Sequence, residues 1–246
     1  FEKNLLRFPE PKTASSAMGT AMHGTIQRVY KHLKNGGILP ATNDVLAWFD
    51  ELLFHERLNE KDHAHMLVRG RDALKRFYEE KKSSFSTSAM IEFDFKNQGV
   101  VVGDAHLTGK IDKIIVADGA ITVSDLKTGR AIKNWSPSDP YDKIKAWKYR
   151  RQLAFYKLLI EHSREFGGKY TMNNGVIEFM EPLNDQIVDL PVTIEKDEIE
   201  RMEALISAVY KKIKALDFPD VSQYSQDLKG IIAFEDDLLR DAGTVQ

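Results

Sequence analysis

Between residues 17 and 82, apolar positions repeat at the spacing of an α-helix. In the first such segment the repeat of three and four residues predicts a helix over residues 17–33. The positions that define this apolar face are Met22, Ile26, Val29, Tyr30 and Leu33. Residues 35–37 (Asn-Gly-Gly) are expected to end the helix, because glycine readily adopts the left-handed cap. Two more helices are predicted, one from an Asn43 N-cap to residue 55 and one over residues 60–82.

After the third helix the pattern changes to the alternation of a strand. Residues 89–96 alternate apolar and polar side chains, which predicts a first strand. A glycine turn leads to a second strand over residues 107–116, and Asp118-Gly119 predicts a tight turn into a third strand over residues 120–127. Three consecutive strands joined by such turns form an antiparallel meander.

The rest of the chain returns to mixed patterns. A loop with two prolines precedes a strong helical pattern, and the elements predicted beyond it are a helix over 143–165, strands over 170–180 and 186–193, and a helix over 197–215. The last thirty residues are acidic and poorly periodic, so we expect a docked or loose tail. Residues 1–16 lack periodicity as well. Helices before and after a mixed sheet indicate an α/β or α+β fold.

Composition narrows the classes of protein that the chain can belong to. Its 246 residues fit one large domain or a domain with a sizeable insertion. Neither a transmembrane run nor a secretory leader is seen, and cysteine is absent, which excludes disulfides, thiolate zinc sites and cysteine-held iron–sulfur clusters. We therefore expect a cytoplasmic protein without contact to a membrane. The chain begins with Phe1, which suggests a domain cut from a longer polypeptide.

Positive charge is concentrated after the third strand. The net charge of the chain is −2, but residues 126–151 hold eight Lys and Arg against two Asp, a net +6, which leaves −8 for the remainder. Such a local patch can direct phosphate to a site. Four aromatic residues are interleaved with these cations, which fits either stacking on single-stranded nucleic acid or a charged helix face with buried tryptophans. The contacts expected first are Lys133, Arg150 and Arg151.

Candidate chemistry starts with Asp125 and Lys127. Residues two apart on a strand share a face, so their side chains point to one side of the sheet. Counting outward from the Asp118-Gly119 turn places Asp112 near the level of Asp125. Two converging carboxylates repel each other unless a cation lies between them, and oxygen ligands suit Mg²⁺ or Mn²⁺. Glu92 on the first strand either contacts the surroundings of this metal or belongs to a solvated face.

These motifs together resemble the RecB-like branch of the PD-(D/E)XK nuclease superfamily. The resemblance lies in Gly109-x-Ile-Asp112, Asp125-x-Lys127-Thr-Gly and Gln152-x-x-x-Tyr156, preceded by Gly19-Thr-Ala-Met-His23 on the first helix. It implies a restriction-endonuclease-like fold, with a mixed central sheet flanked by helices and a helical N-terminal portion. The family implies a single nuclease domain over residues 1–246, divided into the helical portion 1–83, the nuclease core 84–217 and the tail 218–246.

The resemblance also implies a role for each matched residue. His23, Asp112, Asp125 and the carbonyl of Leu126 would bind the metal, Lys127 would be the catalytic lysine, and Gln152 and Tyr156 would steady the site and contact DNA. Many relatives hold an iron–sulfur cluster, which the absence of cysteine excludes here. The implied activity is Mg²⁺- or Mn²⁺-dependent hydrolysis of DNA phosphodiesters, with exonuclease action on single strands in DNA repair or recombination.

The segment from Phe8 to His23 is similar to the junction that precedes such domains in UvrD-type helicase-nucleases, so a helicase motor is expected in the parent polypeptide. Two alternatives stay open at this point. One is a catalytically silent DNA-binding accessory domain of a helicase, and the other is a metal-dependent hydrolase of small phosphate compounds.

Overall fold

A computed structural model of the chain describes residues 12–243. Its helices are α1 (Ala14–Gly36), α2 (Thr42–His55), α3 (Glu60–Lys81), α4 (Pro140–His162), α5 (Lys196–Ala215) and α6 (Leu228–Asp241). Its strands are β1 (Met90–Asp94), β2 (Val101–Val102), β3 (Ala105–His106), β4 (Lys110–Ala117), β5 (Ala120–Lys127), β6 (Thr171–Phe179) and β7 (Asp189–Val192). Residues 1–11, which include most of the N-terminal segment and part of the expected helicase junction, lie outside the described residues, as do residues 244–246.

Five strands form one mixed sheet in the order β1-β4-β5-β6-β7. The pairs β1–β4, β4–β5 and β6–β7 are antiparallel. The remaining neighbours in the sheet are β5 and β6, which run in the same direction and are linked through α4. The N–H of Met180, just after β6, donates to the carbonyl of Lys127 at the end of β5 (2.8 Å). The mixed sheet and the helical N-terminal portion confirm the predicted restriction-endonuclease-like fold class.

The described chain divides into two compact units whose segments alternate along the sequence. Within the described residues, the first unit comprises residues 12–87, Leu126–Ala131 and Phe179–Val188, and the second comprises Ser88–Asp125, Ile132–Glu178 and residues 189–243. The backbone therefore passes from the second unit to the first at the last residues of β5 and of β6. The expectation of one nuclease domain over residues 1–246 stays a prediction.

The first unit is built on three helices that pack on one another. Its fully buried side chains form an apolar core, with Met22 and Ile26 on α1, Phe49 on α2, and Phe77 and Tyr78 on α3. The segment after β6 forms a hairpin in this unit, closed by a bridge between Leu183 and Gln186. Two arginines of α3 form ion pairs with this hairpin, Arg69 with Glu181 and Arg76 with Asp185.

The second unit consists of most of the sheet with α4, α5 and α6. Helix α4 begins where sequence chemistry favours it, because the side chain of Asp139 accepts the N–H of Asp142 and Pro140 occupies the first turn. Its apolar face is buried through Leu153 and residues 158–160. Among the described residues no helix combines the length and apolarity that a membrane crossing needs.

Three sequence predictions need correction. The predicted second strand over 107–116 is shorter, because β2 and β3 form a separate hairpin before β4 begins at Lys110. Asn43 is not the N-cap of α2, since the carbonyl of Ala41 already accepts the N–H groups of Asp44 and Val45. The C-terminal segment is not aperiodic but holds the helix α6, in which the apolar residues Ile231, Phe234 and Leu238 recur at helical spacing.

Candidate active site

The register of β1, β4 and β5 aligns three carboxylates across neighbouring strands. Lys113 pairs with Ser124, so the next pair outward from the turn is Asp112 with Asp125. On the other side of β4 the paired residues are Ile91 with Lys113 and Phe93 with Ile111, which sets Glu92 opposite Asp112. Directly opposed residues of antiparallel strands carry their side chains on the same face. Asp112 therefore lies opposite Asp125, as counting from the turn predicted.

Glu92 and Asp112 offer carboxylate oxygens within 4.8 Å of each other. Like charges at this separation repel, and a divalent cation that takes oxygen ligands would remove the repulsion. The ammonium of the exposed Lys110 lies 3.4 Å from the Glu92 carboxylate and neutralises part of its charge. The donor set of this pair thus fits a hard metal ion, and sequence reasoning gave Glu92 a peripheral place at most.

Glu92 has an unusual backbone conformation for a strand residue. Its φ angle is +54°, in the left-handed region that residues with a side chain rarely adopt. The pairs on both sides of it remain in register, so no extra residue has been inserted into the strand. This conformation costs on the order of 1–3 kcal/mol and is typical of functional positions.

Asp125 is buried, with 2% of its surface exposed, and is held by two side chains of α4. Gln152 Nε2 and Tyr156 Oη each donate to Asp125 Oδ1 at 2.8 Å, and Gln152 Nε2 also donates to Tyr156 Oη at 2.8 Å. The two donors are four residues apart on one helix, so they point the same way. The structure therefore brings together Asp125, Gln152 and Tyr156, three of the residues that the sequence selected.

The tyrosines around Asp125 stay protonated far into the alkaline range. The pKa of Tyr156 is raised mainly by its burial, and the negative charge of Asp125 raises it further. The pKa of Tyr149 is raised by the same two causes in the same order. Both hydroxyls therefore remain neutral at physiological pH.

Leu126 and Lys127 end β5 and lead into a sharp turn. Leu126 is buried, whereas Lys127 is partly exposed. The carbonyl of Lys127 accepts the N–H of Met180, and the N–H of Gly129 donates to the carboxylate of Glu181. The backbone on each side of Thr128 is thus fixed by residues that follow β6.

His23 lies on α1, four residues after Gly19, and is partly buried. A side chain at Gly19 would place its Cβ 2.8 Å from Thr128 Oγ1, so the small residue lets α1 approach the turn that follows Lys127. Thr25, two residues beyond His23, is fully buried, and its hydroxyl donates to the carbonyl of Ala21 within the helix. The role of His23 as a metal ligand stays a prediction.

The three predicted DNA contacts have different surroundings. Lys133 is exposed in the loop before α4. Arg150 forms a two-pronged ion pair with Glu198 of α5, in which Nη2 lies 2.6 Å from Oε2. Arg151 lies 2.6 Å from Glu235 of α6. Both arginines thus link α4 to neighbouring helices, and the DNA-binding role of all three residues stays a prediction.

One charged pair behind the site was missed in the sequence. Lys113 and Glu178 form an ion pair with both side chains almost fully buried, and the alternation of β4 puts Lys113 on the face opposite to Asp112. Lys113 lies on β4 and Glu178 on β6, so the ion pair crosses the intervening strand β5. Charged residues at strand positions that read as core are the signal that could have revealed it.

Comparison with known proteins gives one family. A sequence model of the PD-(D/E)XK nuclease superfamily matches residues 1–225. No curated protein matches the chain. Among solved structures, one described as the crystal structure of SSO0001 is 16% identical, covers 86% of this chain and 79% of its own, and has a TM-score of 0.37. The identity and TM-score of that match are too low to support an inference about this chain, whereas the family model covers most of the chain.

Proposed function

Because this chain belongs to the PD-(D/E)XK nuclease superfamily, which implies a nuclease-type hydrolase that binds DNA, we propose a more specific activity for it. The chain hydrolyses DNA phosphodiesters with Mg²⁺ or Mn²⁺, as an exonuclease on single strands. It acts in the cytoplasm within a RecB-like helicase-nuclease of DNA repair. The observation that supports catalysis best is the buried carboxylate of Asp125, held by Gln152 and Tyr156 beside the aligned Asp112 and Glu92.

The proposed metal ligands are the carboxylates of Asp112, Asp125 and Glu92, with the carbonyl of Leu126 and the imidazole of His23 as the family resemblance implies. When bound, the ion supplies Lewis-acid chemistry to the scissile phosphate. No iron–sulfur cluster takes part in the proposal, which needs only oxygen and nitrogen ligands.

The remaining residues of the proposed site orient the attacking water, stabilise negative charge and contact DNA. The ammonium of Lys127 orients the attacking water and stabilises the negative charge that develops on the phosphate oxygens. Gln152 and Tyr156 fix the plane of the Asp125 carboxylate through two bonds to one oxygen. Lys133, which is exposed, and the arginines at positions 150 and 151 contact the DNA backbone.

The deciding experiment is cleavage of end-labelled single-stranded DNA by the purified protein in MnCl₂. Asp125→Ala and Lys127→Met should each abolish cleavage. Matched controls are Asp104→Ala in the turn between β2 and β3 and Lys211→Met on α5, two exposed positions whose variants should cleave at the wild-type rate. Cleavage by Asp125→Ala at the wild-type rate would show that the proposed site is not catalytic.

The same experiment separates the alternatives. A catalytically silent accessory domain predicts salt-dependent DNA binding without cleavage by the wild-type chain. A hydrolase of small phosphate compounds predicts turnover of nucleotide esters and no salt-dependent affinity for DNA. Comparing linear with circular single strands distinguishes exonuclease from endonuclease action, because only an endonuclease cuts the circle.

A further inference from the structure

The turn that follows Lys127 is held by the hairpin that follows β6. Met180 N–H donates to the carbonyl of Lys127 (2.8 Å), and Glu181 accepts the N–H of Gly129, so consecutive residues of the hairpin hold both sides of Thr128. Gly129 has a φ angle of +101°, which favours glycine. This backbone conformation therefore depends on the bonds around it.

Glu181 divides its two carboxylate oxygens between the turn and α3. Oε1 accepts the N–H of Gly129, while Oε2 lies 2.7 Å from both Nε and Nη2 of Arg69. The carboxylate is nearly buried, and a buried charge of this kind is tolerated when it is paired and hydrogen-bonded. Arg69 thus supplies the positive charge that lets Glu181 sit beneath the turn.

We propose that Glu181 and Arg69 are positioning residues for Lys127. The inference rests on the proposed function, in which the Lys127 ammonium acts on the scissile phosphate. The bonds on both sides of Thr128 fix the backbone from which the Lys127 side chain extends, and so the region that its ammonium can reach. Glu181 fixes that backbone one residue beyond Thr128, and Arg69 fixes Glu181 to α3.

The first unit contains a matched control for this arrangement. Arg76 lies seven residues after Arg69 on α3 and forms an ion pair with Asp185 of the same hairpin at 2.8 Å. Asp185 accepts this bond at the exposed tip of the hairpin, four residues beyond Glu181. Loss of the Arg76 pair therefore removes a link between the same two elements without removing a bond to the turn.

The test compares Glu181→Ala, Glu181→Gln, Arg69→Met and Arg76→Met in single-stranded DNA cleavage. Glu181→Ala should lower kcat by on the order of 10²-fold with KM unchanged, because small misplacement of a catalytic group has effects of that size. Glu181→Gln should recover part of the rate, since its amide oxygen can still accept the Gly129 N–H while its amide nitrogen cannot accept from Arg69. Arg69→Met should lower kcat less than Glu181→Ala, and Arg76→Met should leave kcat unchanged.

Amide hydrogen exchange of the peptide that contains Gly129 gives a readout that does not need catalysis. Exchange at Gly129 should be slow in the wild type and in Arg76→Met, and fast in Glu181→Ala. Should Glu181→Ala fail to fold, Glu181→Gln and Arg69→Met keep both measurements available. Unchanged kcat in Glu181→Ala, or an equal loss in Arg76→Met, would overturn the proposal.

A wild-type chain that does not cleave DNA would refute the proposed function by itself. The exchange measurement would then still decide whether Glu181 holds the turn, since slow exchange that is independent of Glu181 contradicts the structural part of the inference. A wild-type chain that cleaves, together with a Glu181→Ala variant that retains full kcat, would leave the proposed function intact and reject the positioning role.

Discussion

Replacing Tyr156 with phenylalanine removes one oxygen from the proposed site and leaves the ring in place. Tyr156 is 6% exposed, and its hydroxyl donates to Asp125 Oδ1 while it accepts from Gln152. The variant therefore deprives the Asp125 carboxylate of one of two side-chain donors on α4 and deprives Gln152 of one acceptor. The packing of the ring against its neighbours should not change, because phenylalanine has the same shape without the hydroxyl.

The size of the effect follows from the kind of bond that is lost. A hydrogen bond to a charged group contributes about 1.5–3 kcal/mol, and about 1.4 kcal/mol corresponds to a factor of ten. Removing a residue that orients a metal ligand lowers metal affinity or activity by about 10- to 100-fold in other metal sites. Because Gln152 continues to donate to the same oxygen at 2.8 Å, we expect the lower part of this range, about tenfold.

The assay is a Mn²⁺ titration of single-stranded DNA cleavage, combined with calorimetric measurement of Mn²⁺ binding. Tyr156→Phe should require about ten times more Mn²⁺ for half-maximal cleavage. Tyr224→Phe is the control, since Tyr224 donates to Asp237 at 2.7 Å in a similar Tyr–Asp bond outside the proposed site. If Tyr156→Phe binds Mn²⁺ and cleaves as the wild type does, or if Tyr224→Phe shows the same loss, the orienting role of this bond is refuted.

Three further outcomes are expected. Gly70→Ala should destabilise the chain by about 1–3 kcal/mol in urea unfolding, because its Cβ would lie 2.2 Å from the ring of the buried Phe49, whereas Gly36→Ala, with nothing within 4 Å, should be neutral or slightly stabilising. Burial raises the pKa of Tyr78 to about 12, so the folded state holds this proton longer than the unfolded chain does, and the free energy of unfolding should fall as pH rises from about 10 to 12, with a shallower fall in Tyr78→Phe. Lys133→Ala should reduce the slope of log affinity for DNA against log salt concentration by about 1, and an unchanged slope would remove Lys133 from the DNA contacts.

The strands of the sheet could be predicted where a short sequence motif strongly favours one local structure. The Asp118-Gly119 turn has φ angles of +50° and +77°, as expected for a two-residue hairpin turn, and β5 occupies residues 120–127 as predicted. The register of β4 and β5 follows from that turn alone. By contrast, the β2–β3 hairpin consists of strands of two residues each, which are too short to produce a periodic signal.

The candidate site was predictable as far as residue spacing determines geometry. Gln152 and Tyr156 are one helical turn apart, so their shared direction follows from sequence, and the structure adds that both donate to Asp125. The surroundings of Arg150 and Arg151 could not be predicted, because their partners Glu198 and Glu235 are 48 and 84 residues away. Long-range ion pairs depend on tertiary packing, which sequence periodicity does not contain.

The backbone of Glu92 connects stability with the proposed chemistry. A left-handed residue inside a strand lowers stability by on the order of 1–3 kcal/mol, and it persists because the neighbouring pairs to β4 fix both sides of it. Nothing in the local sequence favours this conformation, since glycine and asparagine, which adopt it readily, are absent from positions 89–93.

The strain occurs at the strand residue whose carboxylate lies beside that of Asp112. Strain and like-charge repulsion at one place both oppose folding of the metal-free chain, and only the repulsion is relieved by a cation. Metal binding at this pair should therefore stabilise the folded state, which is the thermodynamic counterpart of the proposed activity.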